Sequence, residues 1–219
     1  MQTDPRFPNL RIVDHPIVLD RLSKMRMTQT PTRDFRTLLY EITLLMGYEI
    51  TRDFATEKRS IETPVTATEA PFLVEDEPIL IPILRAGLGM TEGLVTLLPK
   101  AVIGHVGVAR DENHRPVEYL VKLPTIGNKH VIMVDPMLAT GNSAAHTLDV
   151  LKRHGVKGSQ IRFLSLLAAP EGVQTLFEKH PDVEIYTASL DEGLNEKAYI
   201  VPGLGDAGDR IFGTRQKEA

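Results

Sequence analysis

Three short stretches of almost unbroken apolar residues, 78–84, 131–134 and 161–169, and a weaker fourth at 183–188, punctuate the middle of the chain. Runs of this kind suit strands of a parallel sheet, where both faces are covered and neither is left for water. Between them, residues 88–98, 143–154 and 171–180 carry the spacing of helices, and Gly155 stands where a helix-ending glycine belongs. Strand and helix alternate. The pattern therefore predicts an α/β fold, a parallel sheet flanked by helices on both faces.

The ends of the chain follow other periods. Phe35, Leu38, Leu39, Ile42, Leu45 and Met46 fall on one face of a helix expected over 31–54, with Thr30 as N-cap and Pro31 at the first helical position. Residues 60–68 alternate and are rich in Thr and Val, which predicts one strand, with Pro64 pushing it to an edge. Two strand-like runs flank ARDENHRP within 104–123, which predicts a β-hairpin arm with a polar, mobile tip. Residues 199–214 hold four glycines and a proline, yet Ile200, Val201, Leu204, Ile211 and Phe212 argue that the segment is packed. There is no internal repeat. One domain over 1–219, with an N-terminal helical part of about 1–58, accounts for the pattern.

Composition narrows the function. A net charge of −4 over 219 residues gives no bulk basic field, so no nucleic acid is expected and any anion site must be local. The absence of cysteine excludes disulfides and thiolate metal sites. No apolar run has the roughly 20 residues of a membrane span, and the first ten residues have no signal core, so a cytoplasmic protein is the default.

Local chemistry centres on residues 131–144. A buried strand is followed by Leu138-Ala139-Thr140-Gly141-Asn142-Ser143 and a helix beginning near Ser143. Strand, turn and helix N-terminus together can bind a phosphate, because free N–H groups and the helix dipole converge there. TGNS alone equally fits a plain turn capped by Ser143 or Asn142. Asp135 stands at the carboxyl end of the strand, where ligands bind in open α/β sheets. It could accept hydrogen bonds from a sugar diol, or be an ordinary turn carboxylate. No Walker lysine follows.

Strand, acid, A-T-G and a hydroxyl residue resemble the phosphoribosyl diphosphate (PRPP) motif of type I phosphoribosyltransferases. Most members have two adjacent acids; this chain has Asp135-Pro136, and D-P-M-L-A-T-G resembles the branch that uses uracil. Residues 82–88 (PILRAGL) and 199–209 are similar to two further motifs of that branch, in the same order, and the similarity spans about 14–213. Asn142 replaces a common glycine and tolerates the left-handed conformation better than most residues.

The resemblance implies transfer of a phosphoribosyl group from PRPP to uracil, giving UMP and diphosphate, a pyrimidine salvage reaction. It implies that Asp135, Pro136, Met137, Leu138, Ala139, Thr140, Gly141, Asn142 and Ser143 cradle PRPP. Arg85 and Arg110 are implied on its diphosphate, Arg85 beside a cis non-proline peptide and Arg110 on a loop that closes over the site. Asp206 is implied on PRPP, and Ile200, Gly205, Asp206 and Ala207 around uracil, mainly through backbone groups; an Asp209–Arg210 ion pair would brace them. Arg85, Arg110 and Asp206 form the implied catalytic set. Mg²⁺ is expected on the diphosphate rather than on protein ligands, and His105, His130 and His154 read as structural or solvated. GTP activates some relatives, and a homo-oligomer, dimer or tetramer, is expected. A side chain at Gly141 is expected to block phosphate while leaving the fold intact.

Two readings from other classes compete. An RNA-binding regulator on the same fold would need a basic face, which −4 opposes. A plain nucleotide-binding domain would need neither Arg85 nor GLGDAGD. Within enzymes, the alternative is a phosphoribosyltransferase for another base.

Overall fold

The computed structural model describes residues 1–74, 77–110 and 116–214, with the backbone alone at Arg110 and Pro116. The chain opens with β1 (Gln2–Asp4), β2 (Phe7–Ile12), α1 (Pro16–Arg26), α2 (Thr32–Ile50), β3 (Thr56–Glu62) and β4 (Ala67–Leu73). There follow β5 (Ile79–Leu84), α3 (Leu88–Leu97), β6 (Val102–Ile103), β7 (His105–Arg110) and β8 (Pro116–Lys122). Next come β9 (Val131–Val134), β10 (Met137–Leu138), α4 (Asn142–Arg153), β11 (Ile161–Ala168), α5 (Pro170–Lys179) and β12 (Glu184–Leu190). β13 (Gly193–Leu194), β14 (Ile200–Val201) and the short α6 (Ala207–Phe212) complete it.

The main sheet has the order β1-β2-β12-β11-β9-β5-β7-β8, with β6 on β5 and β10 on β11. β2 through β7 are parallel; β1 and β8 close the edges antiparallel. Alternation along β9 shows why its run is unbroken. Val131 and Met133 join one buried cluster, with Leu148 of α4 and Val173 of α5. Ile132 and Val134 join the other, with Phe35 of α2 and Met90 of α3. From β5 the chain crosses to β7 on one side, whereas β9, β11 and β12 lead away on the other. The order reverses between β5 and β9, and sheets of this class leave a crevice outside the strand ends at such a point.

Several expectations need correction. α2 stops at Ile50, not at residue 54. Arg162 of β11 causes this. Its guanidinium binds the Ile50 carbonyl and forks onto Asp53 at 2.6 and 3.0 Å, and it lies 5.0 Å over the Phe54 ring, which stacks on His130. Pro31 is itself the N-cap, and the Thr30 hydroxyl donates instead to the Lys24 carbonyl. Residues 60–68 span two strands, because Thr63 builds a turn: its hydroxyl oxygen accepts from the N–H groups of Val65 and Thr66. The N-terminal part is not only helical, since β2 extends the main sheet beside β12 and α1 precedes α2. The arm forms as β7 and β8, and Glu118 ties it to α4 through Arg153 at 2.8 Å and through His146. The tip, residues 111–115, lies outside the described residues.

Candidate functional site

Beyond Val134 the chain makes a loop pinned to β11. The Pro136 carbonyl accepts from the N–H groups of Leu166 and Leu167 at 3.0 and 3.1 Å, and β10 adds briefly to β11. Gly141 then turns the chain at φ 80° and is the N-cap of α4. This differs from the reading in which Ser143 or Asn142 caps the helix, and the difference is chemical. A glycine cap has no side-chain acceptor of its own, and apart from a long 3.5 Å contact of the Asn142 N–H with the Thr140 hydroxyl no side chain caps the first turn, which leaves its N–H groups available to a ligand. Asn142, Ser143 and Ala144 of that turn line a cleft of about 370 Å³. α5 buttresses the loop from behind: Thr175 donates to the Thr140 carbonyl at 2.9 Å. A Cβ on Gly141 would fall 2.8 Å from the Gly172 carbonyl oxygen and 2.9 Å from the Thr175 Cβ. The expectation that a side chain there spares the fold is therefore corrected: it meets backbone.

Asp135 lines the same cleft, half-buried at the end of β9. Its burial pushes the carboxyl up to about 7, against the opposing pull of the Met137 N–H. A carboxyl that titrates near neutrality in a cleft is a functional signal when geometry agrees.

The opposite wall is formed by Lys197, Ala198, Tyr199, Ile200, Gly205, Asp206, Ala207 and Gly208. Ile200, Leu204 and Ile211 are buried, so this glycine-rich segment is packed as expected, whereas Val201 is exposed. Asp206 caps α6 by accepting from the Asp209 N–H at 2.8 Å. Arg210 braces the segment through the carbonyls of Leu204 (2.9 Å) and Met27 (2.7 Å) and lies over the Phe35 ring. The Asp209 carboxylate accepts from Thr214.

The structure thus brings residues 137–143, Asp135, Ile200, Gly205, Asp206 and Ala207 around one cleft, and Pro136 lies outside its lining. Arg85 lies outside this lining. It is exposed, 5.7 Å from the Phe212 ring centroid, and follows a cis Leu84–Arg85 peptide. Arg110 ends β7, and its side chain lies outside the described residues. Sequence reasoning missed Lys197, the one Lys or Arg among the described residues lining the cleft. Its signal was only adjacency to the recognised segment. His130 stacks on Phe54, and His154 meets the Val150 carbonyl, both structural roles. No helix among the described residues is long and apolar enough to cross a membrane.

Comparison with known proteins supplies the context. Residues 12–214 match the family model of uracil phosphoribosyltransferase. The chain is 57% identical over 215 residues to a uracil phosphoribosyltransferase of Paraburkholderia phymatum, covering 98% of this chain and 100% of that one. It is 56% identical to the Burkholderia thailandensis protein of the same name, over the same shares. Among solved structures, the AQ2163 protein of Aquifex aeolicus superposes with a TM-score of 0.88 at 33% identity, covering 95% of this chain and 100% of that one. A hypoxanthine-guanine phosphoribosyltransferase of Bacillus anthracis shares the fold at TM-score 0.50 and 17% identity, covering 73% of this chain and 82% of that one.

Proposed function

This chain belongs to the uracil phosphoribosyltransferase family, and from that premise we propose that it transfers the 5-phosphoribosyl group of PRPP to uracil, giving UMP and diphosphate. The observation that carries the assignment of parts is the cleft itself, with a glycine-capped helix N-terminus on one wall and a glycine-rich segment on the other. In this reading the 5′-phosphate lies on Thr140 to Ser143, and the ribose hydroxyls donate to Asp135. Uracil meets the backbone of Ile200, Gly205 and Ala207, and Asp206 faces PRPP. Arg85 and Arg110 hold the diphosphate. Residues 1–219 work as one domain, in the cytoplasm.

Transfer makes the anomeric carbon positive as diphosphate departs, so the chain's task is to hold both reactants in line and to neutralise the leaving group. Arg85 suits this as a planar fork of donors. Mg²⁺ fits the site as an ion carried on the diphosphate: Asp135 and Asp206 are the two carboxylates of the cleft lining, and a hard, hydrated cation needs few protein ligands. When bound, it shares in neutralising the diphosphate charge. A homo-oligomer belongs to the same reading, supported by the hairpin β3–β4, whose Phe72 and Leu73 are exposed. Activation by GTP rests on the family resemblance, and adding GTP to the turnover assay checks it. The central experiment is to incubate protein, Mg²⁺, PRPP and labelled uracil. UMP is the expected product, and its absence sinks the proposal.

Two expected results follow from this assignment. Arg85→Lys should cut turnover about 10-fold to 100-fold, the equivalent of one charge-assisted hydrogen bond made to the departing diphosphate. Its melting temperature should barely move, because Arg85 is exposed and its described contact is the Phe212 ring. A large loss of melting temperature with turnover intact would make Arg85 a structural residue.

The second concerns Asp135. Ribose hydroxyls that donate to it favour the carboxylate, so PRPP binding below its value of about 7 should release a proton. Calorimetry at pH 6.5 in buffers of different ionisation enthalpy should show this release in the parent and lose it in Asp135→Asn. The same shift sets a stability trend. A carboxyl raised from 3.8 favours the fold while protonated, and this contribution fades as pH climbs from about 3.8 through about 7. The asparagine variant should therefore gain on the parent in melting temperature as pH rises from about 3.8 to about 7, and keep that gain above it. Equal proton release by the two proteins would remove Asp135 from the sugar site.

A further inference from the structure

Gly203 lies between the two parts of the segment assigned above to uracil, and one ion pair holds both of its backbone polar groups. Its N–H donates to Asp191 Oδ2 at 3.0 Å, and its carbonyl accepts from Arg26 Nη1 at 2.8 Å. Arg26 and Asp191 are themselves locked as a fork, Nη1 to Oδ2 at 2.7 Å and Nη2 to Oδ1 at 2.6 Å. Ser189 completes the cluster by donating to Asp191 Oδ1 at 2.7 Å and accepting from Arg26 Nη2 at 3.2 Å. The Asp191 side chain is 2% exposed.

The cluster joins three distant parts of the chain: the last residue of α1, the residue after β12, and the turn after β14. Asp191 is fixed in turn by its own N–H on the Ala168 carbonyl at the end of β11. At Gly203 the backbone has φ 60°, and a Cβ would fall 2.1 Å from the Ile200 carbonyl oxygen, so the turn folds tightly back on Ile200. The residue after Arg26 holds the far side of the segment, since the Met27 carbonyl receives Arg210, which also holds the Leu204 carbonyl. Neither Arg26 nor Asp191 lines the cleft. A buried ion pair is a weak source of net stability, because desolvating two charges offsets most of their attraction. It is a good source of fixed geometry when, as here, its spare donors and acceptors are spent on one backbone turn and one neighbouring hydroxyl.

We propose that Arg26 and Asp191 are positioning residues for base recognition, clamping Gly203 by its N–H and its carbonyl and so fixing the main-chain groups of Ile200 and of Gly205 to Ala207 against the base. This inference rests on reading that segment as the uracil site.

Arg26→Lys and Asp191→Asn test it in the full chain. Each keeps size and an anchoring atom but breaks the fork. KM for uracil should rise about tenfold or more, while the Kd for PRPP rises by no more than about threefold, because Asp206 is the one PRPP contact assigned to the loosened wall. Asp191→Asn keeps an oxygen for the Gly203 N–H and should be the milder of the two. A fall in melting temperature and active fraction with KM for uracil unchanged would overturn the clamp, as would an equal loss toward both substrates. If Asp191→Asn does not fold, Ser189→Ala deletes one donor to Asp191 and should give the same split in smaller measure. Unchanged KM for uracil in both Ser189→Ala and Arg26→Lys then overturns the clamp. A parent protein that makes no UMP sinks the functional reading instead, whereas an active parent with indifferent variants sinks the clamp alone.

Discussion

Cytosine should be used about 10⁴-fold less efficiently than uracil, as expected of a site that reads its ligand through fixed hydrogen bonds. Uracil's pairing edge offers a ring N–H between two carbonyls, and cytosine inverts two of those positions. Mismatch at a rigid main-chain site leaves buried groups unpaired, which costs more than losing the bond itself. The wall that would read this edge is main chain held on several sides. Ile200 pairs through β14 with Leu194 of β13, and the Leu194 N–H donates to Glu171 at 3.1 Å. Arg210 holds the Leu204 carbonyl, and Asp206 caps α6. Gly205 has φ 79°, and a Cβ added there meets nothing within 4 Å. Gly205→Val should therefore fold, at the cost of backbone strain, and present its side chain at the cleft. Its kcat/KM for uracil should fall about 100-fold, with Kd for PRPP nearly unchanged. Tyr199→Phe and Val201→Thr, which alter exposed side chains, should leave base choice as it is. Competition of the two bases in the parent enzyme is the direct measurement, and comparable turnover would refute a main-chain readout.

How much of this was legible in the sequence depends on the range of the interaction. The strands β5, β9 and β11 were legible because burial on both faces forces unbroken apolar runs, and Val131 to Val134 divide between the two buried clusters as that requires. The loop of residues 138–143 was legible because its turn and helix start are contiguous. Its capping was not: Ser143 and Asn142 have the better capping chemistry, yet Gly141 takes the position in the fold. α1 escaped notice because Val18, Leu22 and Met25 are its only buried residues in eleven. The end of α2 was set by Arg162, a residue from another strand that no local pattern announces. Asp135 gave no sign in sequence of a carboxyl raised by burial. Arg26 and Asp191 lie 165 residues apart, and nothing local to either marks the partner.

The steepest loss expected from a single substitution is at Gly141. Gly141→Val should abolish measurable PRPP binding, raising Kd more than about 100-fold, because it removes several convergent N–H contacts at once. Two effects combine, and the chain contains the means to separate them. The first is conformational: Gly141 has φ 80°, which costs a residue with a Cβ about 1–2 kcal/mol. The second is steric: the new Cβ would stand 2.8 Å from the Gly172 carbonyl oxygen and 2.9 Å from the Thr175 Cβ. Relieving that overlap moves the loop off α5, at about 1–3 kcal/mol. Gly155 shares the conformation at φ 83° but has nothing within 4 Å of its would-be Cβ. Gly155→Val should thus show the conformational cost alone: a lower melting temperature with PRPP affinity unchanged. Gly141→Val should lose more stability than Gly155→Val and lose PRPP as well. Thr140→Val, which removes a hydroxyl from the lining without moving the backbone, should weaken PRPP about tenfold, as for one hydrogen bond. Titration of PRPP into each variant, after melting curves confirm the folded state, decides the matter. A folded Gly141→Val protein that binds PRPP like the parent would place the phosphate elsewhere.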